Sequence, residues 1–499
     1  MRTEIDDGYV TELEYTHRYC PDLAPSRIAL ACAARGLRVL QNPSPRYLEM
    51  AFGQGVSINI HAAASPGKYA GFDFNPRHAA NARRMADRSG SRTRLDCESF
   101  ESFAARDRLP EFDIIAMHGT WSWISEDNRS RVIEILRRSL APDGVCFISY
   151  NCLPGWAAEI PIRQLLMLHA GLAQDAQPLA TRIDASLEFA QQLHDAGAAC
   201  FDAHPRLAPW LQSLHAQSRN YLAHEYFNRD WHPMPFSKVA RELAEAGLEF
   251  GASASPAGLH PMPGLNQKAR DLLESIAEPA LRETTLDFLT NRRFRRDIFV
   301  KIGQPIVPGS LEERIGSVRF TLLQHPEHVP AKATLAGTGI DLPQEIYRPF
   351  AEALAARDYA PKTIREVAEG PGCNGIPQAR LAEAALVLTD AGSLHPVQDR
   401  GAVEVAEPRC RALNALILEC AESSADISAL ACPATGAGVF AAREEMLFLR
   451  AKTLGHASED AWAQYAWEKM GEGDPATLRS AAQAFARLRL PVLESLRIA

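Results

Sequence analysis

The segment from Tyr47 to Pro76, YLEMAFGQGVSINIHAAASPGKYAGFDFNP, constrains the chain more than any other. A short apolar run, Tyr47–Phe52, leads into a turn of small residues, Ala51, Gly53 and Gly55. A helical stretch follows at Gln54–Ala64, then a second apolar run, Tyr69–Phe74, that carries Asp73 at its end. Strand, glycine turn, helix, strand and acid is the opening of a Rossmann-like nucleotide-binding unit. Small residues are required because the backbone passes close to the ligand, where side chains would block it.

The pattern then repeats. Pro76–Ser89 is expected as a helix, Thr93–Glu98 as a weak third strand and Phe112–Met117 as a buried fourth. A helix over Asn128–Leu140 and a turn, Ala141–Gly144, lead to a fifth strand, Val145–Tyr150. Alternating strands and helices imply right-handed crossovers and a parallel sheet, with ligands at the carboxyl ends of the strands. The loops that matter therefore begin near Glu49, Asp73, Asp96, His118 and Asn151.

The glycine spacing separates two cofactor classes. A dinucleotide site expects a third glycine where this chain has Ile58. An acid about twenty residues after the turn suits the ribose of S-adenosylmethionine (SAM). The expected cofactor contacts are Glu49, Ala51, Gly53, Gly55, Asp73, Phe74, Asp96, Cys97 and His118, with Asp96 near the adenine amino group. Trp121 and Trp123, with Asn151 and Trp156 from the next loop, are expected to wall a substrate channel. His118, Tyr15 and Tyr150 are the candidate polar groups for catalysis, since an amine acceptor must lose a proton before it accepts a methyl group. Tyr9, Tyr15, His17 and Tyr19 precede the unit and either cover the cofactor as a lid or pack on the surface. The histidines lack metal-site spacing, so no metal is expected.

Beyond Trp156 the pattern is read as helical, including residues 234–253 and 267–300. The basic run NRRFRR, 291–296, is read there as a solvated or ion-paired helix face. GQPIVPG, 303–309, breaks the pattern. The last segment has helices at Leu342–Ala356, Thr363–Glu369 and Gln378–Thr389 and a strand-like 393–398. That layout is winged-helix-like, but no dense basic helix face accompanies it, which favours a packing unit. The expected domains are 1–165, SAM-binding; 166–305, helical; and 306–499, mostly helical.

A chain of 499 residues needs several cores. Its net charge of -8 argues against a nucleic-acid partner. Ten scattered cysteines without a CxxC pair fit reduced thiols and a cytoplasmic protein. No secretory signal and no long apolar run is seen, so membrane insertion is not expected.

Together EMAFGQG, GFDFNPRHAANAR, HGTWSWIS, ISYNCLPGWA and YLAHEYFNRDWHPMPF resemble bacterial class I SAM-dependent methyltransferases carrying a methyltransferase regulatory domain. The layout is similar to that of the rickettsial protein-lysine methyltransferases. The resemblance implies a class I Rossmann-like catalytic domain, SAM as methyl donor, a helical domain gating the cleft and a protein substrate methylated on lysine. Alternatives are a small-molecule or glycan methyltransferase, or a catalytically degenerate SAM-binding protein with a partner. A homodimer is left open. The family usually has Gly-Cys-Gly where this chain has Ala51-Phe52-Gly53, a change beside the cofactor turn.

Overall fold

Strand β1 (Arg46–Met50) lies inside a seven-stranded sheet, paired in parallel with β2 (Lys68–Asp73) and β4 (Phe112–Met117). β3 (Arg94–Cys97) extends the sheet on one side and β5 (Leu140–Asn151) on the other. β6 (Leu248–Ser253) and β7 (Phe294–Lys301) complete it in the order β3-β2-β1-β4-β5-β7-β6, with β7 antiparallel to both neighbours. The structure is a computed structural model describing residues 9–10, 15–40, 42–172, 177–258, 264–335, 338–370, 372–471 and 473–499.

Strand alternation builds two cores. Tyr47, Ile114, Ala116, Val145 and Phe147 face α1 (Pro25–Ala34), α2 (Val56–Ala64) and α3 (Pro76–Ser89). Leu48, Met50, Ile115, Met117, Cys146 and Ile148 face α4 (Phe100–Ala104), α5 (Glu126–Ser139) and the helix Phe236–Ala244. The strand order reverses between β1 and β4, so the carboxyl ends there open a crevice, the usual ligand position in such sheets.

Two stretches depart from the helical expectation. Within 234–253 the helix stops at Ala244, Gly247 turns in the left-handed region (φ 74°), and Leu248–Ser253 is a strand. Within 267–300 the basic run ends in β7, whose residues are mostly buried. The segment after residue 165 is therefore not helical throughout: it returns two strands to the same sheet that residues 46–151 begin. β5 also starts earlier than expected, at Leu140, with a register shift opposite Phe112/Ile114.

The charges in β7 are compensated inside the protein. Arg295 is fully buried, and its guanidinium lies 2.7 Å from Asp287, 2.7 Å from Asp297 and 2.9 Å from Glu283. Tyr150 donates to the same Asp297 carboxylate at 2.8 Å. Arg296 pairs with Asp22, which also holds Arg27 at 2.9 Å.

Among the described residues, five helices between Ile160 and Tyr226 enclose a separate small core around Leu166, Ile183, Leu187, Leu211 and Leu222. Further on, Phe320–Leu322 pairs with Leu394–Pro396 beside the helices Gln344–Ala355, Ile364–Ala368 and Gln378–Asp390. The long helix Arg400–Ala421 then packs on α2 and α3, and the Tyr19 hydroxyl accepts the Gly438 N–H at 2.7 Å. Among the described residues, no helix is long and apolar enough to cross a membrane.

Replacing Arg295 with alanine leaves its buried carboxylates without their cation. Urea unfolding should show a loss of about 3–5 kcal/mol, against little change for an exposed arginine such as Arg400.

Candidate active site

A cleft of about 810 Å³, including its mouth, opens at the carboxyl ends of β1, β2 and β4. Its floor is the turn after β1. Ala51, Gly53 and Gly55 all take positive φ, at 55°, 58° and 74°. The Ala51 amide donates to Phe72 O at 2.8 Å, tying the turn to β2. For an alanine the left-handed region costs about 1 kcal/mol, which this tie offsets. A Cβ on Gly55 would lie 2.3 Å from the Ala82 Cβ, so Gly55 is needed for α2 to approach α3. It shapes the helix start and does not line the cleft.

Phe52 is buried on the other side of the turn. Its ring packs over Gly71, which has no room for a Cβ, in the core shared with Ile58. The large side chain replacing the family's usual cysteine thus stays out of the cleft, which sees only Ala51 and Gly53.

Asp73 grips this turn. One carboxylate oxygen accepts the Gly53 N–H at 2.8 Å. The other accepts the Asn75 N–H at 2.9 Å and lies 3.2 Å from His78 Nδ1. A carboxylate offers about four acceptor sites, so Asp73, which lines the cleft, retains spare acceptor capacity. Phe72, Phe74, Phe100 and Ile124 supply apolar walls, and Glu98 and Ser99 supply polar groups beyond β2. A backbone approach without side chains, a carboxylate with spare acceptor capacity and flat apolar walls fit the methionine, ribose and adenine parts of SAM.

The roof comes from the N-terminal segment. Tyr9 meets Phe74 edge-on at 6.0 Å, and the Gln54 side chain donates to Tyr15 O at 3.2 Å. Both tyrosines pack on one imidazole, His224, at 5.2 and 5.0 Å between ring centres. The Val10 N–H donates to Asn228 Oδ1 at 2.8 Å, and Arg163 holds the Asn228 carbonyl. The tyrosines therefore form a lid, clamped by the helix Arg219–Tyr226 and the residues after it. Burial pushes both phenols above their ordinary range, so they stay protonated donors at neutral pH.

His118 follows β4 at the cleft wall. Its Nδ1 lies 2.9 Å from Ser149 Oγ, which accepts the Gly119 N–H at 2.7 Å. Burial pulls its pKa down to about 4, so the ring is neutral at pH 7. Of the other expected residues, Asp73, Phe74, Tyr15, Ala51, Gly53 and Trp123 also line the cleft.

The remaining expectations need correction. Glu49 lies beneath the floor, takes a hydrogen bond from Tyr47 at 3.2 Å and is raised to about 8 by burial. Asp96 turns outward to Arg94 and Arg106, at 2.9 and 3.3 Å; Glu98 lines the cleft in its place. Cys97 is exposed beside Phe74 O. Tyr150 is committed to Asp297 inside the sheet and is no catalytic candidate. Trp121 is fully buried in the core against α5, outside the cleft lining. Trp156 lies under the Arg293 guanidinium at 3.8 Å, and Asn151 uses its backbone to anchor Ser122, at 2.9 Å. Neither lines the cleft. His78, Glu98, His224 and Asn228 were not expected; only the HEYFN cluster hinted at the last two.

Residues 48–144 match the model of a methyltransferase domain and residues 218–301 that of a predicted methyltransferase regulatory domain. An uncharacterized Synechocystis protein, sll1526, is 34% identical over 453 residues, covering 90% of this chain and 88% of its own. The chain belongs to the class I SAM-dependent methyltransferases with a regulatory domain. Its fold is shared by PKMT2 from Rickettsia typhi, with TM-score 0.69, 18% identity and coverage of 97% and 99% of the two chains. The same rickettsial protein in complex with AdoHcy gives TM-score 0.67 at 16% identity. In this methyltransferase the regulatory match spans the lid clamp, β6 and β7 together.

Two substitutions separate cleft from core. Asp73→Ala should weaken SAM binding in calorimetry by about 1.5–3 kcal/mol. Phe52→Cys should leave that affinity within about twofold yet cost about 2–4 kcal/mol of stability through the cavity it opens.

Proposed function

We propose that this methyltransferase transfers the methyl group of SAM to the side-chain amine of lysine in a protein acceptor. The observation that carries the reading is Asp73, holding the Gly53 turn with one carboxylate while facing a cleft roofed by protonated tyrosines. Bound SAM supplies an electrophilic methyl group on a sulfonium. The chain's own part is to position the acceptor and exclude water, which is most of what such a displacement needs. Ala51, Gly53 and Asp73 would hold the donor, Phe72 and Phe100 would flank it, and Tyr9 and Tyr15, which line the cleft, would shut water out from above. Neutral His118 offers a hydrogen bond at the acceptor side without adding a charge that would repel an ammonium group.

Support for a protein acceptor comes from the likeness in fold, along nearly the whole chain, to PKMT2, whose name denotes a protein-lysine methyltransferase. A catalytically degenerate binder loses its main motive, because Phe52 faces the core.

The test is transfer of labelled methyl from SAM into a fractionated bacterial extract. Label should enter protein and be recovered as methylated lysine after acid hydrolysis. Label confined to small metabolites or glycans would contradict the protein reading.

A further inference from the structure

A second cavity shares no lining residue with the cofactor cleft. It holds about 1150 Å³, including its mouth, between the turn Pro21–Leu23, α1, β7 and the C-terminal segment. Strand alternation turns Arg296 into it and Arg295 away from it. β7 runs between β5 and β6, yet the Arg296 side chain is 35% exposed, and the cavity it lines accounts for that exposure. The carboxylates on the wall are already engaged. Asp22 pairs with Arg296, and with Arg27 at 2.9 Å. Asp390 lies 3.3 Å from Arg27 and accepts the Ser255 hydroxyl at 2.6 Å and the Ala257 N–H at 3.0 Å. Glu445 accepts the Ala442 N–H at 3.1 Å and lies 3.4 Å from Arg489, whose terminal nitrogens are spent on the carbonyls of Leu323 and Phe440. Arg296 differs. Among the described residues its guanidinium makes one hydrogen bond, to Asp22, and its other N–H donors have no partner.

His395 adds an acceptor to the same cavity, where it is 2% exposed. Its Nδ1 lies 2.8 Å from Pro396 O, an oxygen that can only accept, so the ring proton sits on Nδ1 and Nε2 is left as a lone pair. Burial pulls the imidazole down to about 3, which keeps it neutral at pH 7. Nε2 has no hydrogen-bond partner among the described residues, and a buried acceptor left unpaired is costly. Spare cationic donors facing a cavity suit an oxyanion, because charge-assisted hydrogen bonds are the strong ones. An unpaired acceptor in the same cavity suits a hydroxyl on the same molecule. We propose that this cavity is a second binding site, taking a small hydroxylated oxyanion, a carboxylate or a phosphate ester, with its anionic group on Arg296 and its hydroxyl donating to His395 Nε2. The site is independent of which acceptor the cofactor cleft serves. Its wall includes Asp22, in the turn that follows the lid segment, and Gly438, whose N–H the Tyr19 hydroxyl accepts. An occupant therefore touches the root of the lid and the C-terminal segment together.

The experiment titrates four probes calorimetrically into the full-length protein saturated with AdoHcy, which keeps the cofactor cleft filled. L-malate is compared with succinate, and glycerol 3-phosphate with propyl phosphate, so that each pair differs in its hydroxyl groups. The hydroxylated member of a pair that binds should bind about threefold tighter or more. Arg296→Gln should weaken binding of every probe by about tenfold or more, because it removes charge-assisted hydrogen bonds. AdoHcy affinity should stay within about twofold of wild type, which also reports that the variant is folded. His395→Phe, a second variant, should erase the preference for the hydroxyl while succinate and propyl phosphate bind as before. Binding by the malate pair alone identifies the occupant as a carboxylate, and binding by the phosphate pair alone as a phosphate ester; each supports the site when Arg296→Gln weakens it. No binding of any probe at millimolar concentration, binding unchanged in Arg296→Gln, or equal binding within each pair by the wild type overturns the proposal.

Discussion

Arg295 lies fully buried between Asp287, Asp297 and Glu283, and its position fixes where β7 enters the sheet. Burying a guanidinium costs several kcal/mol unless carboxylates meet it with good geometry. Here two carboxylates approach within 2.7 Å, from the strand itself and from the helix Pro279–Thr290. The cage joins that helix to β7, and Tyr150 of β5 closes it from the neighbouring strand. The chain that leaves the sheet after β5 is thereby brought back to β5. Of the helices between, Arg219–Tyr226 packs on the tyrosine lid at the carboxyl edge of the sheet, where the cleft opens.

This arrangement gives the regulatory segment two tasks. β6 and β7 complete the sheet, and the helix Arg219–Tyr226 holds the N-terminal tyrosines over the cofactor turn. Asp73 joins the same system from below, since it fixes Gly53 against whose open face Tyr15 rests; a Cβ there would meet the Tyr15 ring at 3.6 Å. The Gly53 turn, the lid and the regulatory helix are in one chain of contacts, and a change in any of them alters the water exclusion that methyl transfer requires.

The sequence made the first half of the sheet legible because its glycines and Asp73 sit at spacings that few structures use. The hydrophobic runs located β1, β2, β4 and β5 within a few residues. β7 was hidden by its own chemistry: FRRDIFVK reads as a charged surface unless the distant Asp287 and Glu283 are known to neutralise it. Glu98 lines the cleft and Asp96 does not, because the weak third strand does not announce where it ends, and two residues decide which acid faces the cleft. Tyr150 and Trp121 were placed by proximity to cleft loops, whereas Asp297 claims the first and the core the second. The lid clamp joins residues more than two hundred positions apart, as with Val10 and Asn228, beyond the reach of local pattern.

These contacts make the cofactor cleft, the tyrosine lid and the regulatory helix one closed unit. Hydrogen–deuterium exchange with and without AdoHcy measures this directly. Protection should appear together in residues 51–55, in residues 15–22 and in the helix Arg219–Tyr226. Protection confined to the turn and β2, with Arg219–Tyr226 unchanged on binding, would contradict it.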